Sequence, residues 1–399
     1  MQDTIENQKT TLELANNPRI IGHIKGEFNG PTLIFFGGIH GNEPAGVRAL
    51  QNVMHQLKQK PKRYRGTCYG IKGNLPALNK GVRFIDEDLN RIWSTNNIES
   101  ERQINSSSSS EKKELLELFQ IITGILRSNT PPFYFIDLHT TSGETEPFIV
   151  MNDSLLNRRF TQHYPLPVIL GIEEYLSGAL LSYINDLGYV SFGFESGQHR
   201  DVQAISVAEN FVWYTLGLTG FMPMKKEALV DIKKQLNQSH TPKRFFEIYY
   251  QHLIGQNEKF KMLPGFVNFQ QVTKGITIAD YKNEPIVLDK DRQIFMPLYQ
   301  KKGNEGFYFI RGVPRIFLWL SKYLRKLKID VLLVALPGVR WLSGKKEGLL
   351  LNKKVARFYA KAIFHLFGYR ARELGKDHLL LKNKERSSKH QEYYTSPWY

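Results

Sequence analysis

The sequence of 399 residues contains a single cysteine, Cys68. One cysteine cannot build an internal disulfide framework, and a cysteine-rich metal site is also excluded. Residues 1–8 have neither a basic flank nor an apolar core, which argues against a secretory signal. No stretch reaches the roughly 18 to 20 uninterrupted apolar residues that a membrane-spanning helix needs. These absences predict a cytoplasmic protein of a reducing compartment.

Acidic residues are scarce at the end of the chain. The formal net charge is +16, and residues 316–399 account for +12 of it, with 18 Lys and Arg against 6 Asp and Glu. The preceding part of the chain is therefore nearly neutral. A concentrated positive charge indicates an anionic partner. Because this tail lacks an interleaved stacking platform, an anionic membrane surface fits it better than nucleic acid, and we expect no nucleic-acid partner.

The composition otherwise predicts a folded chain with a large core, since 41% of the residues are hydrophobic and 12% are aromatic. Strand-like apolar runs alternate with amphipathic helices over residues 18–225, which predicts an α/β domain. Residues 260–315 hold short strand-like runs between Gly, Pro and Asp turns and predict a small β-rich domain. Residues 316–399 are predicted to be a basic, partly helical tail. The serine run at 106–110 predicts a flexible loop.

Two histidines and a glutamate follow apolar runs in a way that suggests a metal site. Residues 31–36 form such a run, and His40 and Glu43 come shortly after it. Open α/β sheets bind their ligands beyond the carboxyl ends of the strands. An imidazole and a carboxylate supply two of the three protein ligands of a catalytic zinc. His139 is the candidate for the third, because it follows a second apolar run at 133–138.

Other polar residues suggest a place for a substrate. Arg83, Asn90 and Arg91 lie among acidic residues between positions 81 and 93, a composition that is usually a solvated, self-paired surface. A hydrolase that binds a carboxylate needs a cationic fork, and arginine provides that geometry better than lysine. Glu195, near the end of the strand predicted at 189–199, offers a further carboxylate.

Together these motifs resemble the succinylglutamate desuccinylase and aspartoacylase family, which is similar in fold to the zinc carboxypeptidases. The resemblance covers residues 18–220 and implies a mixed-sheet α/β/α zinc-carboxypeptidase-like domain, followed by the small β-rich domain and the basic helical tail. The matching stretches occur in the order of the family: Gly38-Ile39-His40-Gly41-Asn42-Glu43, Gly73-Asn74-Leu75-Pro76-Ala77, Arg83, Asp88-Leu89-Asn90-Arg91, Asp137-Leu138-His139 and Gly193-Phe194-Glu195-Ser196-Gly197.

The resemblance implies roles for the metal-site residues. His40, Glu43 and His139 are implied to bind one Zn²⁺ per chain, and Glu195 is implied to be the general base. Asp137 is a plausible partner for a ligand histidine, because such histidines usually donate their other N–H to an oxygen acceptor. A carboxylate that is simply satisfied at the end of a strand explains Asp137 equally well.

The resemblance also implies roles in substrate binding. Arg83 is implied to stabilise the developing oxyanion, and Asn90 and Arg91 are implied to hold a substrate carboxylate. In this family the small β-rich domain contributes a tyrosine to the site. Tyr308 and Tyr299 are the two candidates here.

One position departs from the family pattern. Aspartoacylases carry a second substrate-binding arginine ten residues before the catalytic glutamate. In this chain an ungapped count reaches Asn185, and no Lys or Arg lies between His163 and Glu195. The sequence therefore does not favour specificity for acylaspartate.

Three functions follow as hypotheses. The first is a zinc-dependent amidohydrolase of the deacylase type, which cleaves a small carboxylate-bearing N-acyl amino acid with a metal-activated water. The second is carboxypeptidase-like removal of a C-terminal residue from a peptide. The third, which is compatible with catalysis, is peripheral attachment to an anionic membrane through amphipathic helices at 316–327 and 355–367. These helices could equally cover the catalytic domain with their lysines in water, and the sequence does not determine the oligomeric state.

Overall fold

The computed structural model describes residues 17–59, 63–103, 109–237, 244–327, 329–342, 348–356, 361–374 and 377–399. Eighteen strands are present in this part of the chain: β1 (Ile20–Lys25), β2 (Phe28–Gly37), β3 (Arg65–Lys72), β4 (Phe133–Thr141), β5 (Phe148–Met151), β6 (Val168–Leu170), β7 (Val190–Gln198), β8 (Phe245–Leu253), β9 (Phe260–Met262), β10 (Gln271–Val272), β11 (Thr277–Tyr281), β12 (Glu284–Val287), β13 (Arg292–Phe295), β14 (Glu305–Gly312), β15 (Val339–Trp341), β16 (Gly348–Asn352), β17 (Tyr369–Leu374) and β18 (His378–Asn383).

An eleven-stranded mixed sheet has the order β1-β3-β2-β4-β7-β5-β6-β8-β14-β13-β10. Strands β3, β2, β4 and β7 are parallel neighbours, whereas β1 and β5 join them antiparallel. Leu33, Ile34, Phe35 and Phe36 of β2 are fully buried on both faces of the sheet. This double burial explains the continuous apolar runs, because a parallel strand covered on both sides has no solvent-facing positions.

Eleven helices accompany the sheet in the described residues: α1 (Ala45–Gln59), α2 (Leu75–Lys80), α3 (Thr95–Gln103), α4 (Ser110–Ser128), α5 (Leu155–Thr161), α6 (Leu180–Asp186), α7 (Gln203–Leu218), α8 (Lys226–Leu236), α9 (Arg315–Lys326), α10 (Lys353–Ala356) and α11 (Lys361–Leu366). Leu50 of α1 and Phe211 of α7 pack on one face of the sheet, and Leu115 of α4 and Leu180 of α6 pack on the other. The predicted mixed-sheet α/β/α architecture is confirmed. None of the described helices has the length and apolar content needed to cross a membrane.

The segment at 173–187 corrects one prediction. The sequence of residues 173–187 predicts a helix, but the chain forms a 3₁₀ turn at Ile172–Glu174 and then the seven-residue helix α6. Gly178 separates them with a φ of +66°, a left-handed conformation that interrupts a helix. A side chain at this position would also collide with the backbone carbonyl of Arg91. Gly178 thus allows close contact with the segment that contains Arg91.

The loop predicted for the serine run at 106–110 lies partly outside the described residues, which end at 103 and resume at 109. Where the description resumes, Ser109 caps α4 by accepting a hydrogen bond from the backbone N–H of Lys112, and Ser110 is already helical.

The strands predicted for residues 260–315 form two groups. Strands β12, β11 and β9 make a separate three-stranded antiparallel sheet, whereas β14, β13 and β10 extend the main sheet through β8. The main sheet therefore continues without interruption into the region that was expected to form a second domain. The boundaries of the three predicted domains stay a prediction.

The basic tail contains more β-structure than the sequence indicated. Helix α9 lies where the first amphipathic helix was predicted. The second predicted helix corresponds to the short helices α10 and α11, and residues 357–360 between them lie outside the described part of the chain. An antiparallel sheet of order β15-β16-β18-β17 was not predicted.

A buried ionic cluster joins the tail to the region around β5 and α5. Asp153, which follows β5, is completely buried and contacts three arginines. Its Oδ1 lies 2.5 Å from Nε of Arg158, its Oδ2 lies 2.9 Å from Nη2 of Arg325, and Arg370 also donates to Oδ2. Burial alone would raise the pKa of Asp153, but the three guanidinium groups hold it well below its usual range. The Asp153 carboxylate is therefore charged and links residues that are far apart in sequence.

Replacing Asp153 with alanine tests this link. We expect Asp153→Ala to lower the free energy of unfolding at pH 7 by about 3–5 kcal/mol, because it leaves buried arginines uncompensated. Chemical denaturation followed by circular dichroism measures the change. In the native protein the folded-state pKa is depressed, so this stabilisation is complete above the usual value of 3.8 and is lost as the pH falls through the folded-state pKa.

The matched control is Asp289→Ala, which removes an exposed carboxylate that pairs with Arg292 at 2.8 Å. Solvent screens such a pair, and we expect little change in stability. Equal effects of the two substitutions would show that the buried cluster does not stabilise the fold.

Candidate active site

The register of two parallel strands brings the predicted metal ligands together. Phe36 of β2 is paired with Asp137 of β4, so the loop after β2 lies beside the end of β4. His40 and Glu43 are buried in this loop. His139 lies inside β4, which continues to Thr141, rather than beyond the strand as predicted. The displacement does not move it out of reach, since one ligand atom from each of the three side chains lies within 4.8 Å of the others.

Glu43 lies between the two imidazoles. His40 Nδ1 is 2.9 Å from Oε1 of Glu43, and His139 Nδ1 is 2.9 Å from Oε2. The backbone N–H of Thr140 donates a further hydrogen bond of 3.0 Å to Oε2. Burial opposes the charge on Glu43, but the neighbouring histidines hold the pKa of its carboxyl well below the usual range. Two nitrogens and one carboxylate therefore converge on one point.

The outer nitrogens of both histidines are held by carboxylates. His40 Nε2 is 3.1 Å from Oδ1 of Asp88, and His139 Nε2 is 2.5 Å from Oδ2 of Asp137. Histidines that bind zinc usually have such a partner on the ring nitrogen that faces away from the metal. The donor set, two histidines and a glutamate, is also one that catalytic zinc sites use. These residues fit a zinc ion, and their role as ligands stays a prediction.

Asp88 belongs to one of the stretches that resemble the family but has no predicted role, and the structure shows that it orients two groups. Besides contacting His40, its Oδ2 accepts hydrogen bonds of 3.0 and 2.8 Å from Nε and Nη2 of Arg83. The remaining nitrogen, Nη1 of Arg83, lies 3.8 Å from Oε1 of Glu43. Arg83 is thereby fixed next to the candidate metal site.

Glu195 occupies the next strand of the sheet, in register with His139. It is buried, and among the described residues its Oε2 has no hydrogen-bond partner. Burial raises the pKa of Glu195 to about 8 against the opposing charge of His139, and the negative charges of Glu43 and Asp137 add to the rise. A carboxyl group with such a pKa can hold and release a proton near neutral pH.

A cavity of about 150 Å³ connects these groups. The candidate ligands, Arg83 and Glu195 line it. Its lining also contains a set of apolar residues, which we call the apolar wall: Val150, Met151, Ile172, Leu176 and Leu181.

The predicted carboxylate-binding residues also line the cavity, but they already have partners. Nε and Nη2 of Arg91 donate to Oε1 of Glu305 at 3.2 and 3.1 Å. Oδ1 of Asn90 accepts a hydrogen bond of 3.0 Å from the backbone N–H of Leu180. Glu305 was not predicted. It comes from β14, 214 residues beyond Arg91, and no local pattern indicates the contact.

Of the two candidate tyrosines, only Tyr308 lines the cavity. Its buried hydroxyl accepts a hydrogen bond of 3.2 Å from Nε2 of Gln251. Tyr299 is partly exposed, and its hydroxyl donates a hydrogen bond of 2.8 Å to the backbone carbonyl of Leu263. Asn185, where the family's second arginine was expected, is buried and does not line the cavity.

A histidine without a predicted role also lines the cavity. His199 Nδ1 lies 2.8 Å from Oγ1 of Thr140, and its Nε2 lies 3.3 Å from Oε1 of Gln300. Burial lowers the pKa of His199, which favours the neutral ring. Its position four residues after Glu195 is a signal that could have identified it.

The chain is similar in sequence to known proteins. Residues 29–209 match the model of the succinylglutamate desuccinylase/aspartoacylase catalytic domain. A succinylglutamate desuccinylase of Pseudomonas fluorescens is 30% identical over 112 residues, which are 28% of this chain and 31% of that protein. An aspartoacylase of Xenopus tropicalis is 32% identical over 127 residues, which are 31% of this chain and 38% of that protein. The matches thus span about a third of the length of these relatives.

The fold of a solved relative is also similar. The crystal structure of a succinylglutamate desuccinylase/aspartoacylase from Rhodobacter sphaeroides superposes with a TM-score of 0.52 at 16% identity, over 73% of this chain and 88% of that one. At this identity the likeness concerns the fold. Residues 29–209 of this chain are therefore similar in sequence to the catalytic domain of the succinylglutamate desuccinylase/aspartoacylase family, and the chain has the fold of a solved member.

Proposed function

We propose that the protein is a zinc-dependent deacylase that hydrolyses the amide bond of a small carboxylate-bearing N-acyl amino acid. The observation that supports this proposal most strongly is the convergence of His40, Glu43 and His139 beside the buried carboxyl of Glu195. The names of the relatives, a desuccinylase and an aspartoacylase, support a deacylation.

In this proposal His40, Glu43 and His139 hold one Zn²⁺. When bound, zinc polarises a carbonyl oxygen and lowers the pKa of a coordinated water to about 7. Asp88 and Asp137 keep the two imidazole rings in the orientation that presents Nδ1 to the ion.

Glu195 moves protons in the proposed reaction. Its carboxylate takes a proton from the attacking water, and its carboxylic acid then gives a proton to the leaving amine. The apolar surroundings raise its pKa, whereas a cation in the neighbouring site would lower it, because positive charge favours the carboxylate form. Arg83 is placed to stabilise the negative charge that develops on the carbonyl oxygen.

The cavity also suggests which substrates are favoured. Asn90 and Arg91 would bind one carboxylate, with Glu305 giving up its place on the guanidinium, and Tyr308 lies in the same cavity. The wall formed by Val150, Met151, Ile172, Leu176 and Leu181 provides no cation for a second carboxylate. We therefore favour an acylated amino acid with an apolar group over a dicarboxylic one.

The metal can be tested directly. Elemental analysis of the purified protein should give one zinc per chain, and His40→Ala should remove most of it, because two ligands bind zinc much more weakly than three. His55→Ala is the matched control. His55 is exposed on α1 and bonds only locally to Gln59, so its loss should leave the zinc content unchanged. Equal zinc in the wild type and His40→Ala would contradict the proposed site.

Glu195→Gln tests the proton transfer separately from the metal. The amide keeps the shape of the carboxyl but cannot accept the proton, so kcat should fall by about 10² to 10⁴. Zinc content should not change. Glu227→Gln, at an exposed position of α8, should behave like the wild type. An unaltered kcat in Glu195→Gln would assign the proton transfer to another group.

Specificity can be measured with a panel of N-acetylleucine, N-acetylaspartate, N-succinylglutamate and a short peptide. We expect kcat/KM for N-acetylleucine to exceed that for N-acetylaspartate by about tenfold or more, because an unpaired carboxylate against an apolar wall is costly. A preference for the dicarboxylic substrates would contradict the assignment of the apolar wall. A preference for the peptide would instead indicate the carboxypeptidase-like reaction.

A further inference from the structure

Helix α9 turns two polar side chains towards the protein. Ser321 is buried and donates a hydrogen bond of 2.9 Å to the backbone carbonyl of Leu366. Arg325, one helical turn later, is buried among Asp153 and Glu385. These contacts fix the rotation of the helix about its axis. Leu318 on the same side packs against the main core, so the inward side of α9 combines polar and apolar residues, whereas a surface helix usually turns an apolar stripe inward.

The side of α9 that faces away from the protein is apolar. The exposed fractions are 68% for Ile316, 59% for Trp319, 45% for Tyr323 and 66% for Leu327. Successive helical residues are rotated by about 100°, which places these four side chains within an arc of about 80°. We call them the apolar face of α9. Single exposed apolar residues are common, but a contiguous group indicates an interaction surface.

The 3₁₀ helix Ile329–Ala335, which contacts α9, also carries exposed apolar residues. Val331 is 50% exposed and Leu332 is 66% exposed. Exposed apolar residues therefore occur on two neighbouring elements of the tail.

A basic stripe runs next to the apolar face. Arg315, Lys322 and Lys326 are exposed and lie within an arc of about 40° on one flank. They border a cleft whose lining contains eight Lys or Arg and three Asp or Glu side chains, and two of the eight, Arg158 and Arg325, pair with the buried Asp153. The surface beside the apolar face thus has an excess of positive charge.

We propose that α9 docks on an anionic lipid membrane, with its apolar face at the boundary between headgroups and acyl chains and its basic stripe against the headgroups. Helices with this combination lie in the plane of a membrane surface, and Trp and Tyr favour that depth. The twelve-residue helix is about 18 Å long, enough to lie on a bilayer and too short to cross it.

The charge next to the apolar face of α9 favours a lipid membrane over a second copy of the chain as its binding partner. The basic stripe has the opposite sign to an anionic headgroup and the same sign as its own copy. The aliphatic members Ile316 and Leu327 add nothing to the binding of nucleic acid but gain from leaving water at a membrane. Helix α9 also lies outside residues 29–209, which match the family's catalytic domain.

Vesicle binding by the full chain tests the proposal. Flotation with phosphatidylcholine vesicles, with and without phosphatidylglycerol, should show binding that requires the anionic lipid and decreases in high salt. Ile316→Ser with Leu327→Ser should weaken binding by about tenfold or more through loss of the apolar contacts. Lys322→Glu with Lys326→Glu should weaken it at least as much, because each basic residue contributes attraction near an anionic surface.

Helix α8 offers matched controls. Val230→Ser removes an apolar side chain that is 48% exposed, and Lys226→Glu with Lys234→Glu reverses two exposed charges. These variants should bind vesicles like the wild type. Zinc content and circular dichroism show that each variant is folded.

Two outcomes would overturn the proposal. The first is no binding to the anionic vesicles, or equal binding by the wild type and the α9 variants. The second is a dimer in sedimentation experiments without lipid that Ile316→Ser with Leu327→Ser abolishes, which would assign the apolar face to a second copy of the chain.

Discussion

The carboxylate of Glu43 is the group on which the candidate site depends. Each of its oxygens faces one imidazole, and the parallel register of β2 and β4 makes this possible because it brings the loop after one strand to the end of the other. Asp88 and Asp137 then fix the far side of each ring. Several carboxylates surround two imidazoles and Arg83 in a buried space, and this excess of acidic groups favours a bound cation.

Much of this arrangement could be predicted from local sequence. Buried parallel strands appear as continuous apolar runs, and the run before His40 correctly placed this residue in the loop after β2, whereas His139 lies inside β4 and not beyond it. The contacts that the sequence could not predict join segments that are far apart along the chain and meet only when it folds. Glu305 reaches Arg91 from β14, and the leucine-rich strands β16 and β18 pair across a long separation. The interruption between the 3₁₀ turn and α6 depends on the close approach of Gly178 to the backbone of Arg91, and the hydrophobic periodicity of the sequence does not indicate this contact.

The tail combines two requirements in one helix. Arg325 faces inward and contacts Asp153, which directly follows Asn152 at the cavity wall. The opposite side of α9 carries exposed apolar residues beside lysines. A surface helix with a buried arginine is stable only if that charge is neutralised, and Asp153 provides the neutralisation. The same ion pair therefore stabilises the tail and keeps the apolar face of α9 turned away from the core.

The pairing of Arg91 with Glu305 has a consequence for turnover in the proposed reaction. The protein supplies its own carboxylate as a stand-in for that of the substrate, so the guanidinium is never left without a counterion. Substrate binding then replaces the Arg91–Glu305 ion pair with an ion pair between Arg91 and the substrate carboxylate. The free energy of binding gained at this position is only the difference between the two ion pairs. The enzyme–substrate complex is therefore not strongly stabilised, and the amino acid product can leave when Glu305 pairs with Arg91 again.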